Sequence, residues 1–203
     1  MKNNKNINIL KNINLLKQIF YFFAVLLFIT FLKFNSYAHE LWLEPINFKF
    51  NNNEVSKIHI KVGQNFNGSP FGYYDPNKKN LYLENKNKVI NLPQRDGNFP
   101  AIQTLILDKG FHILNYETNY EFLKYESIEK FEDFLKEQNF ESTLEKFDKN
   151  KLPTESYRRF AKALMTNGNK SFFIQKPKLD FEIIALTSPY NLKEEIFEFQ
   201  LFE

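Results

Sequence analysis

Between Leu41 and Tyr120 the chain is cut into short apolar runs separated by turn chemistry, and this punctuation constrains the fold more than any other feature. In "KIHIKVG", Ile58, Ile60 and Val62 alternate with Lys57, His59 and Lys61, the period of a strand with one face buried. "KNLYLE", "TLILD" and "GFHILNYET" are runs of the same kind. They are bounded by "NGSP", "DPNKK", "RDGNFP" and "DKG", where Gly, Pro, Asn and Asp supply turn geometry. Short strands at this spacing predict a mainly β chain folded as an antiparallel, immunoglobulin-like β-sandwich.

After Tyr120 the period changes. In "SIEKFEDFLKEQNF", Ile128, Phe131, Phe134 and Leu135 fall on one helical face, Ser127 is placed to cap it, and Asn139 interrupts it. Phe140, Leu144 and Phe147 continue as a further turn or two. "LPTESYRRFAKALMTNG" reads as another helix, with Pro153 in its first turn, a stripe of Tyr157, Phe160, Ala161, Leu164 and Met165, and Asn167-Gly168 at its end. The expectation is a helical insertion over about 127–167, with Arg158 and Arg159 on a solvated face. "KSFFIQK", "DFEIIALTS" and "EIFEFQLFE" return to strand patterning.

The first 38 residues are expected to lie outside this domain. Lys2, Lys5, Lys11 and Lys17 precede the apolar run 19–32, and "NSYA" follows with Ser36 and Ala38 at the −3 and −1 positions of a cleavage site. The run has 14 residues, short of the ~20 that span a bilayer as a helix. A cleavable signal peptide (1–38) therefore implies export to the periplasm, with residues 39–203 as the mature domain and no stable membrane insertion. Without Lys2, Lys5, Lys11, Lys17 and Lys33, the formal +3 becomes 22 basic against 24 acidic side chains. That removes the basic excess a nucleic-acid partner would need. The chain has no cysteine, which excludes disulfides, thiolate metal sites and a lipid tether at the cleavage point.

Catalytic templates fail on inventory: there is no cysteine nucleophile, no H-E-x-x-H, no G-x-S-x-G and no glycine-rich phosphate loop. The reading is therefore of a binding protein and not an enzyme. Three histidines remain. Cleavage after Ala38 would make His39 the first residue, so that an α-amine and an imidazole share one residue. With ordinary pKa values of ~8 and ~6.5, both can be neutral donors near neutral pH. A nitrogen donor set without thiolate suits copper(II), nickel(II) or zinc. His59, between lysines on the polar face of its strand, and His112, which shares a face with Leu114 and Tyr116, are the candidates for further ligands. Each also reads as an ordinary residue, exposed in the first case and core in the second. An oxidase built on a terminal histidine–copper brace would need a second histidine that the spacing does not assure.

"AHELWLEP", "KVGQNFNG", "KGFHILNYET", "FEDFLKEQNF", "ESYRRFAKALM" and "DFEIIALTSPY" occur in that order. Together they resemble the bacterial periplasmic family known as domain of unknown function 4198, over residues 39 to about 200. The resemblance implies a β-sandwich with a helical insertion, export to the periplasm, and a mature amino-terminal histidine where His39 stands. It also implies a role in nickel or cobalt uptake, with an inner-membrane metal importer as partner. Family members commonly continue into a second, smaller β region after the motif that ends "TSPY" here, so a shortened carboxyl end is expected. The alternative is a non-metal periplasmic module that presents aromatics and edge strands to a membrane protein or a small ligand.

Overall fold

The computed structural model describes Tyr21 and residues 40–51, 54–105, 109–148, 150–168, 171–191 and 196–203. Apart from Tyr21, the expected leader and His39 lie outside the described residues. The chain divides into two units, Met1–Tyr37 and Ala38–Glu203, and all the described strands belong to the second.

The chain is mainly β, as the turn-punctuated runs predict. One sheet has four strands: β1 (Glu40–Pro45), β3 (Val55–Gln64), β4 (Asn67–Phe71) and β7 (Ile102–Leu105). The long β3 takes β1 along one edge and both β4 and β7 along the other, all antiparallel. The other sheet has the order β2 (Lys49–Phe50), β11 (Phe160–Asn167), β8 (Gly110–Thr118), β5 (Lys78–Glu84), β6 (Val89–Asn91). Its pairs are antiparallel except β2 with β11.

The two sheets face each other over one core. Leu43, Ile58, Ile60 and Ile102 come from the first sheet, and Leu81, Leu83, Leu114, Tyr116, Ala161, Ala163 and Met165 from the second. Each set sits at alternate positions of its strand, as a half-buried pleat requires. Ile58, Ile102, Leu114 and Met165 have no exposed surface.

The helical insertion is real but shorter than the sequence pattern suggests. Helix α1 spans Ile128–Glu137, and the Ser127 side chain accepts a hydrogen bond from the Lys130 amide at 3.3 Å. It ends where Asn139 takes φ 57°, a left-handed conformation that asparagine tolerates better than most residues. A 3₁₀ turn follows at Glu141–Lys146. Tyr125, Phe131 and Leu135, with Phe134, Leu144 and Phe147 against them, form a small core of their own. The Tyr125 and Phe131 rings are 5.0 Å apart, edge to face.

The expected second helix is a correction. Residues 154–167 form β10 (Thr154–Tyr157), which pairs with β9 (Glu121–Lys124), and then β11 inside the five-stranded sheet. Ala161, Ala163 and Met165 point into the sandwich. Phe160, Lys162 and Leu164 point outward, yet they are half-buried: Phe160 packs on Phe181, and Lys162 reaches Gln175 and Glu182. With both faces covered, apolar residues fall on both sides of the strand. The period-2 signal is lost, and a spurious i, i+3, i+4 stripe replaces it. "KSFFIQK" differs as well: its described residues 171–176 join no ladder. The last strands are β12 (Glu182–Ala185) and β13 (Phe199–Phe202), paired antiparallel.

Met165→Ala should lower unfolding free energy in urea by about 2–5 kcal/mol, the usual cost of truncating a fully buried side chain.

Candidate functional site

The outer face of the five-stranded sheet carries the densest concentration of charge. Asn80, Tyr82 and Glu84 of β5, Asn115 and Glu117 of β8, and Lys162 of β11 all project there, by the register of the strands. Residues 171–184 run over them. Glu117, 1% exposed, accepts from Lys79 Nζ at 2.8 Å, Asn80 Nδ2 at 2.6 Å and Arg158 Nη1 at 2.8 Å. Glu84 accepts from Lys178 Nζ at 2.7 Å and Gln175 Nε2 at 2.8 Å. Glu182, 3% exposed, accepts from Lys162 Nζ and from the Lys178 and Leu179 amides. Asp180 closes the outer rim on Arg158 Nη2 at 2.6 Å.

Four acids (Glu84, Glu117, Asp180, Glu182) thus meet four bases (Lys79, Arg158, Lys162, Lys178). Every carboxylate is paired, which is what makes burial of these charges tolerable. Desolvation pulls the Lys162 ammonium below its ordinary pKa, against the opposing pull of Glu182. Tyr82 lies beneath, its hydroxyl buried with no hydrogen-bond partner among the described residues, and burial pushes its pKa well above the usual value. A set so fully compensated holds no free base or nucleophile poised for chemistry. It clamps the 171–182 segment to the sheet. Arg158 therefore belongs to this clamp and not to a solvated helix face, and Arg159 pairs with Glu121 at 3.4 Å.

The histidines are placed apart. His112 is 1% exposed on the inner face of β8, with its ring centroid 6.1 Å from that of Phe50. His59 lies on the outer face of β3, opposite Glu44 of β1. The four-stranded sheet separates them, so they cannot share one ion. Among the described residues no group of three or more His, Asp or Glu side chains is arranged to hold a metal. The described residues alone do not supply a ligand set, and His39 lies outside them.

The outer face of the four-stranded sheet is the open one. Trp42 and Glu44 of β1 lie opposite Lys61 and His59 of β3. Glu44 accepts from Lys61 Nζ at 2.7 Å and from Trp42 Nε1 at 3.1 Å. Those two bonds, the Lys61 one foremost, hold its carboxyl below the usual range, so it is ionised at neutral pH. The Trp42 indole reaches over Gly68: a Cβ there would sit 2.6 Å from Trp42 Cη2 and 2.4 Å from the Val62 carbonyl oxygen. Phe66 meets Trp42 edge-on at 5.8 Å, and Phe99 meets His59 at 5.3 Å. Both phenylalanines are exposed, at 78% and 59%.

Phe66 is also strained. The β3–β4 hairpin turns through Asn65 at φ 52° and Phe66 at φ 58°. Such a turn favours Asn-Gly; a bulky side chain in the left-handed region costs about 1–2 kcal/mol. The sequence pattern marked His59 as outward-facing but did not single out Trp42, Phe66 or Phe99. The signal was present in "QNFNG", where Phe stands in a turn position that favours Gly.

These features define a class: an antiparallel β-sandwich with one sheet face sealed by a charged clamp and the other bearing exposed aromatics. A family model for a domain of unknown function, DUF4198, matches residues 36–202. The chain belongs to that family. No curated protein matches it, and no solved structure does.

Glu117→Ala removes the buried acceptor shared by Lys79, Asn80 and Arg158 and should destabilise the fold in chemical denaturation, while Asp180 still pairs with both bases. Asp180 gives the pH dependence. Its carboxyl is held low by the Arg158 hydrogen bond first, with the nearby Lys79 charge also contributing. Stability from this pair is present above the unfolded pKa of ~3.9 and is lost as pH falls through the lowered folded value. Melting curves of the native chain and of Asp180→Asn should therefore differ at pH 6 and draw together as pH falls through that lowered value.

Proposed function

We propose that the mature chain is an exported periplasmic metal-binding protein serving nickel or cobalt uptake, with the ion as cargo and no enzymatic step. The single observation behind this reading is the position of His39. It follows a leader of signal-peptide layout and is joined directly to Glu40, where strand β1 begins. Cleavage after Ala38 would place an amine and an imidazole together at the edge of the sandwich, a pair suited to nickel(II), copper(II) or cobalt(II).

The other two histidines are poor second ligands for that position. His59 lies opposite Glu44, four residues along β1 from Glu40, or ~13 Å at the strand rise. His112 is enclosed in the core. Further donors would come from the sheet end beside Glu40, which faces Gly63 and the β3–β4 turn. The Glu40 carboxylate and the amides of Gln64 and Asn67 are the candidates there. An inner-membrane importer would receive the ion.

A second reading is a periplasmic module that uses no metal and presents an aromatic surface to its ligand. The exposure of Phe66 and Phe99 favours it.

Trp42 is the chain's single tryptophan and stands two residues from Glu40, ~7 Å along the strand. Nickel(II) or copper(II) at residue 39 should therefore quench its fluorescence strongly and saturably at neutral pH. Retaining Ala38 ahead of His39 converts the amine to an amide and should abolish the quenching. Equal quenching in the two proteins rules out the amino-terminal site.

A further inference from the structure

The charge balance on the outer side of the five-stranded sheet breaks down at one end. Over the clamp, four acids meet four bases. Where the overlying segment begins, a cavity of about 530 Å³ opens between the β5–β6 turn (Asn85–Lys88), the start of β8 (Lys109–Phe111) and Ser171. Lys86, Lys88 and Lys109 line it, and among the described residues no acid does. Glu84, the acid that precedes the turn, is committed to Lys178 Nζ at 2.7 Å and Gln175 Nε2 at 2.8 Å.

The walls of the cavity are set by the backbone. The Asn85 amide donates to the Lys88 carbonyl at 3.0 Å, and Asn85 Oδ1 accepts from the Asn87 and Lys88 amides at 2.9 and 3.0 Å. Those bonds fix where the stems of Lys86 and Lys88 leave the chain. Gly110 has φ 123°, and a Cβ there would come within 3.0 Å of Ser171 Oγ. The missing side chain leaves room for the serine hydroxyl. Phe111, 3% exposed, packs against Phe172 at 5.0 Å and Phe173 at 5.9 Å and forms an apolar wall.

We propose that this cavity binds a small organic polyanion, a molecule with two or more carboxylate or phosphate groups on a short carbon frame. Three ammonium groups around one cavity repel one another, and a multiply charged anion relieves that repulsion. Each lysine offers three donors and takes either anionic group as a point charge. The Ser171 hydroxyl adds a neutral donor, and the Phe111 ring gives the carbon frame an apolar surface. The volume falls within the ~300–1,000 Å³ of small-molecule sites. A nucleic acid does not suit the same features, because residues 39–203 carry 22 basic against 24 acidic side chains and the positive charge is local.

The site makes no use of His39 and stands apart from the metal reading. Its test is calorimetric titration of the mature chain with citrate and, separately, with fructose 1,6-bisphosphate. Saturable binding of at least one of them, weakened by added salt, is expected, and the preferred one distinguishes carboxylate from phosphate. Lys86→Ala combined with Lys109→Ala should weaken binding by roughly tenfold or more, the loss of two exposed charge contacts. The melting temperature should not change, since neither side chain is buried. Lys57→Ala combined with Lys124→Ala removes as much charge from exposed positions elsewhere and should leave the affinity unchanged. Absence of saturable binding to both anions overturns the proposal. Equal weakening in the two double variants also overturns it, because the attraction would then belong to net charge and not to this cavity.

Discussion

The structure depends on three buried carboxylates, Glu84, Glu117 and Glu182, and on the way their charges are neutralised. They sit between the five-stranded sheet and residues 171–182, a stretch that contributes few backbone hydrogen bonds to any ladder. Bare carboxylates there would make the arrangement unaffordable. Lys79, Arg158, Lys162 and Lys178 neutralise them, while Asn80, Gln175 and two backbone amides fill the remaining acceptor positions. The clamp specifies one position for the segment, because a shift of one residue would unpair several charges at once. It also gives β11 a covered outer face, and so decides that this stretch is a strand.

That arrangement divides the molecule by face. On the five-stranded side the polar groups are spent on one another. On the four-stranded side no described segment seals the sheet, and Trp42, Phe66 and Phe99 sit there beside Glu44 and Lys61. The β3–β4 turn keeps a phenylalanine in a backbone conformation that glycine would adopt without cost. A chain selected only for stability would not keep it, and that face is where functional residues are expected to accumulate.

The sequence conveyed the sandwich well wherever one side of a strand was wet. "KIHIKVG" and the helix cap at Ser127 are as the periodicity predicts, because solvent on one side enforces the pattern. It failed over 153–167, whose second half, β11, is covered on both sides by a segment that lies further along the chain and by the facing sheet. No local rule reports that Lys162 will find Glu182 or that Arg158 will find Glu117. The site was legible only in part. His59 was read correctly as outward-facing, and His112 was left between ligand and core until its burial placed it in the core. Phe66 was passed over because an exposed phenylalanine is unremarkable until its backbone angle is known.

One sheet face is sealed and the opposite one carries exposed aromatics, and oxidative surface footprinting tests this division most directly. Under brief hydroxyl-radical exposure, Phe66 and Phe99 should be modified rapidly. Tyr82 and Phe111, 8% and 3% exposed beneath the clamped segment, should be modified slowly. Equal modification of the two sets would mean that the segment does not seal the five-stranded sheet, and the division of the molecule into a closed and an open face would be wrong.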